Sequence, residues 1–516
     1  MAVNRRIIGA TTLVTAGVFA AAIVGQLPAF GVADRAQVVT PSSAPQSLVC
    51  PGPAVAVGAD PSDAAALTAT GAPTRISGTV GGTKAKGTSL GRGEVEGGAA
   101  PRALTAPAAT SAGALAAAQV EQVTAGDAAG LVATSCTVPQ SDLWLAAGAT
   151  TTGRTTVLTL ANPSPVAAQV GVKVWSENGP VDTASFSDLV VPAKGRKAVS
   201  LAGVATSAGG TVVRVTSTGG RVGAALEQRT VRGLESGGLD MTGPTTGPAL
   251  EQVVPGVRVA GAAAVAAAQR ADDYADLQTV VRVLVPGSEA TEVSITATSD
   301  SGGRPVTLGR RVAGGVVTDF PVSGLTDGTY TVRVAAERPV VTGVRTAVVG
   351  DADAPTTPDD SAASDGSGDA SDAGSAGGTD AGLVGGDGPT DTSTDTSSSP
   401  SGTAATSTAR GIDFAWFAAA PELSDTVAVA VVDAPSPVLT LASTGEKRTV
   451  RLSGATSASV QVPAKGSIAV PVQRGVVVLR NAEGIRAAVG YAGADALAGY
   501  PVAASDQQAM PVRITR

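Results

Sequence analysis

A pattern of short valine-alternating runs, each closed by glycine or proline, recurs along this chain and constrains its fold more than any other feature. The first copy opens at Asp142-Leu143-Trp144-Leu145 and continues through TTVLTLANPSPVAAQVGVKVW, LVVPAKGRKAVSL and GTVVRVTSTGGRVGAALEQR. The second opens near Val259 with VAGAAAVAAAQ and continues through LQTVVRVLVPGSEATEVSITAT, RRVAGGVVTDFPV and GTYTVRVAAERPVVTGVRTAVV. The third opens at Asp413-Phe414-Ala415-Trp416-Phe417 and continues through DTVAVAVVDAPSPVLTLAS, VQVPAKGSIAVPV and RGVVVLRNAEGIRAAVGYAG. Val191-Pro192-Ala193-Lys194-Gly195 returns as Val462-Pro463-Ala464-Lys465-Gly466, and Ala161-Asn162-Pro163-Ser164-Pro165 parallels Asp433-Ala434-Pro435-Ser436-Pro437.

Every second residue is apolar in Val170-Val172-Val174 and in Val293-Ile295-Ala297, the period of a half-buried strand. Gly and Pro between the runs supply turns. Each copy reads as about seven short strands without a helix, which predicts an all-β fold of tandem immunoglobulin- or fibronectin-like β-sandwiches. A propeller is the rival, with blades about half this length. The predicted units are residues 140–235, 250–350 and 411–516, preceded by a divergent partial β domain over 36–139. Only 3% of the residues are aromatic although 43% are hydrophobic, so the cores must be built from Val and Ala. Residues 351–410 are Asp, Ser, Thr, Gly and Ala; too little apolar surface is available there to offset chain entropy, and a disordered acidic linker is expected.

Residues 1–34 carry Arg5-Arg6 and then IIGATTLVTAGVFAAAIVG without a charge, long enough to cross a bilayer as one helix. The arginines keep the N-terminus cytoplasmic. The expected location is the plasma membrane, single-pass, with the bulk of the chain extracytoplasmic. The alternative is secretion after cleavage near Ala33. Outside the cell the two cysteines, Cys50 and Cys136, would pair, closing a long loop worth roughly 4–5 kcal/mol by chain entropy.

The chain has no histidine, which removes Ser-His-Asp and Cys-His pairs and His-based zinc sites. No enzymatic activity, cofactor or metal is expected. Gly87-Thr88-Ser89-Leu90-Gly91 matches a nucleophile elbow by spacing alone, since neither a following helix nor a base exists. Asp272, Asp273 and Asp276 cluster beside Tyr274 and invite the reading of a carboxylate hydrolase, against which stands a charged loop. The linker aspartates, Asp387 among them, lack the cage that calcium needs. A net charge of −7 without a basic patch argues against nucleic acid. Trp144, Trp175 and Trp416 are the candidate sugar-stacking residues, against core packing.

Arg5-Arg6, Ser47-Leu48-Val49-Cys50-Pro51-Gly52-Pro53, Cys136, Leu143-Trp144 and Leu160-Ala161-Asn162-Pro163 together resemble a family of actinobacterial proteins known as domain of unknown function 5719. The resemblance implies an envelope location and this architecture, and no activity. The expected role is a non-enzymatic, membrane-anchored envelope protein that presents β-sandwich surfaces to an envelope protein or polysaccharide. A carbohydrate-binding accessory protein of surface polysaccharide assembly is the alternative, and a His-free carboxylate hydrolase a second one.

Overall fold

The computed structural model describes residues 37–39, 45–58, 66–107, 114–124, 129–350, 411–502 and 512–514. The expected membrane segment, the cleavage site near Ala33 and the acidic linker lie outside the described residues. No described helix is long and apolar enough to cross a membrane. The fold is all-β, with many small sheets whose ladders are antiparallel but for one short parallel pair, Leu67–Ala69 with Val95–Glu96.

One strand order governs the described chain. In the unit formed by residues 142–242, eight strands run in sequence: Asp142–Leu145, Arg154–Asn162, Ala168–Ser176, Leu189–Val191, Gly195–Ser200, Val212–Thr218, Gly223–Arg232 and Glu235–Thr242. The first, sixth, third and fourth form one sheet, which Gly179–Pro180 extends beside the third strand. The fifth, second, seventh and eighth form the other. Burial alternates along Ala168–Ser176, and its inward residues Val170, Val172 and Val174 share a core with Leu158, Leu160, Ala224 and Leu226 of the opposite sheet. The same order holds for Thr426–Val431 through Leu497–Pro501. Lys194 and Lys465 both take a positive φ, at 51° and 50°, and in each turn the glycine N–H that follows donates to the proline carbonyl. The recurring Val-Pro-Ala-Lys-Gly is thus one tight turn that carries the chain from the fourth strand to the fifth.

The N-terminal part repeats the order in reduced form. Gln46–Cys50, Arg102–Ala106 and Lys86–Ser89 stand as first, sixth and third strands. Thr74–Thr79, Leu115–Val123 and Gly130–Ser135 stand as second, seventh and eighth. Cys50 and Cys136 are joined, which ties the first-strand sheet to the end of the eighth strand.

The middle unit departs from the sequence reading. Its first strand is Ala249–Val259, and VAGAAAVAAAQ does not continue it: Ala262–Ala268 is a helix. Alanine has the highest helix propensity, and the left-handed Gly261 turns the chain into it. The sixth and seventh strands are fused into Gly328–Val349, whose first half pairs with Ala249–Val259 and Thr291–Ser299 and whose second half pairs with Val280–Leu284. The eighth strand is Ile412–Ala418, which arrives from beyond residues 351–410 and pairs with Gly343–Val349. That strand was expected to open the last unit. It completes the middle one, and the last unit opens at Thr426. Trp144 and Trp416 are therefore not equivalent, one on a first strand and the other on an eighth. Asn162-Pro163-Ser164-Pro165 and Ala434-Pro435-Ser436-Pro437 are not equivalent either: they follow a second strand and a first strand.

The four units close into a ring. At each junction the first-strand sheet of one unit packs on the second and seventh strands of the next, and the last unit returns to the N-terminal one. The eighth strands meet at the centre: Gly130–Ser135, Glu235–Thr242, Ile412–Ala418 and Leu497–Pro501 contact one another in a cycle. Asp413 lies among them, fully buried. Its carboxylate accepts backbone N–H groups from Leu131 at 3.0 Å, Leu239 at 3.2 Å and Leu497 at 3.1 Å, one from each of the other three units. The strands come close enough because Gly130 has no side chain: a Cβ there would fall 2.6 Å from the Asp413 carboxylate.

An orphaned buried N–H costs about 1–3 kcal/mol. Asp413→Ala strands three of them and is expected to destabilise the protein by about 3 kcal/mol or more, measured by urea unfolding. With a specific protease site inserted between residues 351 and 410 and then cut, the wild-type halves are expected to elute together in gel filtration, and the Asp413→Ala halves to separate. Equal behaviour of the two cut proteins would remove the latch role of Asp413.

Candidate binding cavity on the ring axis

All four eighth strands leave the centre at the same end, and each exit carries a proline: Pro139, Pro244, Pro421 and Pro501. The strands end at Ser135, Thr242, Ala418 and Pro501, so each proline closes its strand or follows it within four residues, where it has no N–H to extend a ladder and the chain splays outward. The splaying opens a cavity of about 380 Å³, within the size range of small-molecule sites, which are usually found where domains meet. The N-terminal unit contributes Ser135, Thr137 and Val138, the next unit Trp144, Pro244 and Pro248, the middle unit Pro421 and Glu422, and the last unit Pro501.

The wall from residues 142–248 is braced from behind. The Thr245 N–H donates to the Trp144 carbonyl at 2.8 Å, and its hydroxyl donates to the Thr342 carbonyl at 2.9 Å while accepting the Ala419 N–H at 3.0 Å. Trp144 stacks on Trp175 at 5.3 Å between ring centroids, and the Arg214 guanidinium lies 5.3 Å from the Trp144 ring. Arg214 in turn grips the Asp142 carboxylate through two bonds of 2.9 and 2.6 Å. Glu422 accepts from Arg486 at 3.2 Å. The opposite wall is looser: the side chains of Ser135, Thr137 and Gln140 make no hydrogen bond with the described residues.

The tryptophans expected to stack on sugar are interior residues. Trp144, Trp175 and Trp416 are 6%, 9% and 1% exposed, and of the three Trp144 alone lines the cavity. The reason is the scarcity of other large side chains at the junction between the second and middle units. Trp416 donates its indole N–H to Gln228 at 2.8 Å and its backbone N–H to Asp240 at 2.8 Å, and Arg282 lies 4.4 Å above its ring. Arg282 itself is held by Asp319 and by the carbonyls of Gly148 and Thr211. Gly87–Gly91 sits on and just after the strand Lys86–Ser89, with no helix following. The side chains of Asp272 and Asp273 lie outside the described residues. Asp276 is clamped by Arg154 at 2.6 Å and Arg232 at 2.9 Å, which hold its carboxyl below the usual range against the opposing effect of burial. Such an aspartate is an anchored anion, not a proton donor poised for hydrolysis.

The family described as "Family of unknown function (DUF5719)" matches residues 92–385, more than half of the chain. The chain belongs to this family. No curated protein and no solved structure matches it. The DUF5719 match runs from within the N-terminal unit past Gly328–Val349 and stops short of Ile412–Ala418. It thus includes two of the four strand exits that line the cavity, those after Gly130–Ser135 and Glu235–Thr242.

Buried carboxyl groups line the seams between units of this DUF5719 protein. Both Glu227 oxygens accept the Val55 N–H, at 3.0 and 2.9 Å, joining the N-terminal unit to the next. Burial pushes the Glu227 carboxyl up to about 8, against the pull of that N–H and of Arg229 and Arg196. Burial likewise raises Asp240 to about 7 and Asp300 to about 6. Burial also holds the Asp413 carboxyl well above its usual range, while the N–H groups of Leu131, Leu497, Leu239 and Phe414 favour its charged form. The sequence reading missed Glu121, Glu227, Asp240 and Asp413 as structural residues. Their signal was a lone carboxylate inside an apolar strand run, as in AAAQVEQV and GAALEQRTV. The cavity had a signal too, the proline at the end of each unit.

Glu227, Asp240 and Asp300 hold protons in the folded state that the unfolded chain, with carboxyls near 4, releases. Their contribution is fully present below about pH 4 and is lost as pH rises through about 6 to 8. Stability is expected to fall between pH 5 and pH 8.5, read as the midpoint of thermal unfolding. Glu227→Gln should shrink that difference. A midpoint that rises over this window would contradict the assignment.

Proposed function

We propose that this protein is a non-enzymatic binding scaffold of the cell envelope. In this reading residues 1–34 anchor it in the plasma membrane, or direct its export and are removed near Ala33, and the remainder lies outside. Its units are β-sandwiches of the immunoglobulin or fibronectin kind, whose two-sheet strand order and shared cores support that description. The Cys50–Cys136 bond suits an oxidising compartment. The scaffold's work is to hold an envelope protein or wall polymer at the axial cavity.

One observation carries the reading: four units that each bury their own core also send their last strands to one point and stop them there around an open cavity. Ring closure needs the strands to meet, but it does not need four exits that each carry a proline, with hydroxyl and amide groups of Ser135, Thr137 and Gln140 between them that bond to none of the described residues. The buried tryptophans remove the form of the carbohydrate reading that needs an exposed aromatic, but the same lining favours a carbohydrate-binding accessory protein of surface polysaccharide assembly that binds without one, because hydroxyl, amide and carboxylate groups bind sugars as readily as backbone.

A photo-crosslinking residue at Gln140, which is exposed at the cavity, tests the scaffold role in intact cells of the native host. A second one at Leu234, 97% exposed on a distant hairpin, serves as the control. A discrete adduct from position 140 and none from position 234 is the expected outcome. Adducts from neither, or equally from both, would defeat the proposal.

A further inference from the structure

We infer that the axial cavity takes the end of an uncharged saccharide chain, an inference that rests on the reading of this cavity as a binding site. Three features of the cavity select that ligand class. The walls differ: Pro244, Pro248 and Pro501 present apolar rings, whereas Ser135, Thr137 and Gln140 present polar groups that bond to none of the described residues. A purely apolar ligand would bury those polar groups without partners, at about 1–3 kcal/mol each. A pyranose carries both kinds of surface, an apolar face of C–H bonds and a rim of hydroxyls that donate and accept.

Charge narrows the class. Asp142 and Glu422 are the ionisable side chains in the lining, and no Lys or Arg is among the lining residues. Arg214 and Arg486 approach from outside and are spent on those two carboxylates. An anionic ligand would be desolvated there without a cation of its own to pair with, so uronic acids and phosphorylated sugars are disfavoured. Glu422 gives one oxygen to Arg486, and it is 56% exposed on its side chain, placed to accept from a sugar hydroxyl.

Shape narrows it further. The eighth strands pack against one another beneath the cavity, down to the fully buried Asp413. The cavity is closed below, so a polymer cannot thread the ring, and only a chain end or a free short saccharide fits. The binding differs from aromatic stacking, because Trp175 and Arg214 occupy the surroundings of the Trp144 ring. The proline rings take the sugar's apolar face instead.

The full chain, purified in detergent, is tested by saturation-transfer NMR and calorimetry. The sugars are neutral gluco-, galacto- and manno-oligosaccharides of two to four residues, and oligogalacturonides of the same lengths. At least one neutral sugar is expected to bind in the millimolar range or tighter, and no oligogalacturonide to match it. The double variant Gln140→Ala, Glu422→Gln is expected to lose tenfold or more in affinity, as is Thr137→Val, while Leu234→Ala binds as wild type. The same sugars linked to a soluble polymer through either end separate chain-end capture from binding of a free saccharide. Retention on one linkage supports the chain end, and retention on neither assigns the site to free sugar and overturns the chain-end part. No binding by any neutral sugar, equal binding by the oligogalacturonides, or unchanged affinity in the variants overturns the proposal. Should the Gln140 crosslink trap a protein while no sugar binds, this inference falls and the scaffold reading stands.

Discussion

The ring depends on one carboxylate receiving N–H groups from strands that are far apart in the chain. Asp413 is within hydrogen-bond reach of Leu131, Leu239 and Leu497, and each belongs to a different unit. A buried carboxylate is costly unless its acceptor positions are filled. A sheet edge without partners is costly as well. The two liabilities cancel at the centre of the molecule, where the edge N–H groups of three strands are satisfied by the side chain of a fourth. Gly130 and Gly238 leave room for that approach: a Cβ on Gly238 would sit 2.6 Å from the ring of Phe414.

Outward from the axis the units are held by different residues. The seventh strand carries Glu227 in one unit and Arg345 in the next, and Glu227 bonds across the junction whereas Arg345 bonds within its own unit. Glu227 takes the Val55 N–H, while Arg345 donates to the Asp276 carbonyl and flanks Trp416 at 5.8 Å. Between the middle and last units Asp300 accepts from the Thr440 and Ser467 hydroxyls, and the backbones come close: a Cβ on Gly490 would lie 3.0 Å from the Gly256 carbonyl. Buried ion pairs add little net stability but penalise wrong pairings heavily. Units that share one strand order could otherwise dock in the wrong sequence around the ring, and distinct seams give each junction its own match.

Much of the fold was legible in the linear pattern because strand burial is a local property. Alternation in Ala168–Ser176 and Thr291–Ser299 reports which face is wet, whatever the neighbours are. The Val-Pro-Ala-Lys-Gly turn is legible for the same reason, since its left-handed lysine and its proline act within four residues. The disulfide was legible because two cysteines leave one pairing. What failed was assignment of edges. Asp413–Phe417 reads as a strand from its residues, but nothing local says whether it pairs with the chain before it or after it. It pairs backward, across the whole of 351–410, because Gly343–Val349 offers a free edge and because Trp416 finds Gln228 and Asp240 there. The tryptophans could be read both ways, as sugar platforms or as core, and the scarcity of other large side chains is why the rings lie inside.

Taken alone, the order of residues determined the class of structure: valine-rich strands, tight turns between them, four related units, one disulfide and no imidazole chemistry. These follow from sterics and solvation within a few residues of each position. Only the tertiary structure decided that the units form a ring, that a strand from beyond residue 410 completes the middle one, that buried carboxylates hold the centre and seams, and that four proline-ended exits enclose a cavity. Each of these depends on groups far apart in the chain coming together, as Asp413 does with Leu497, 84 residues on, and with Leu131, 282 residues back, and that coincidence has no local signature.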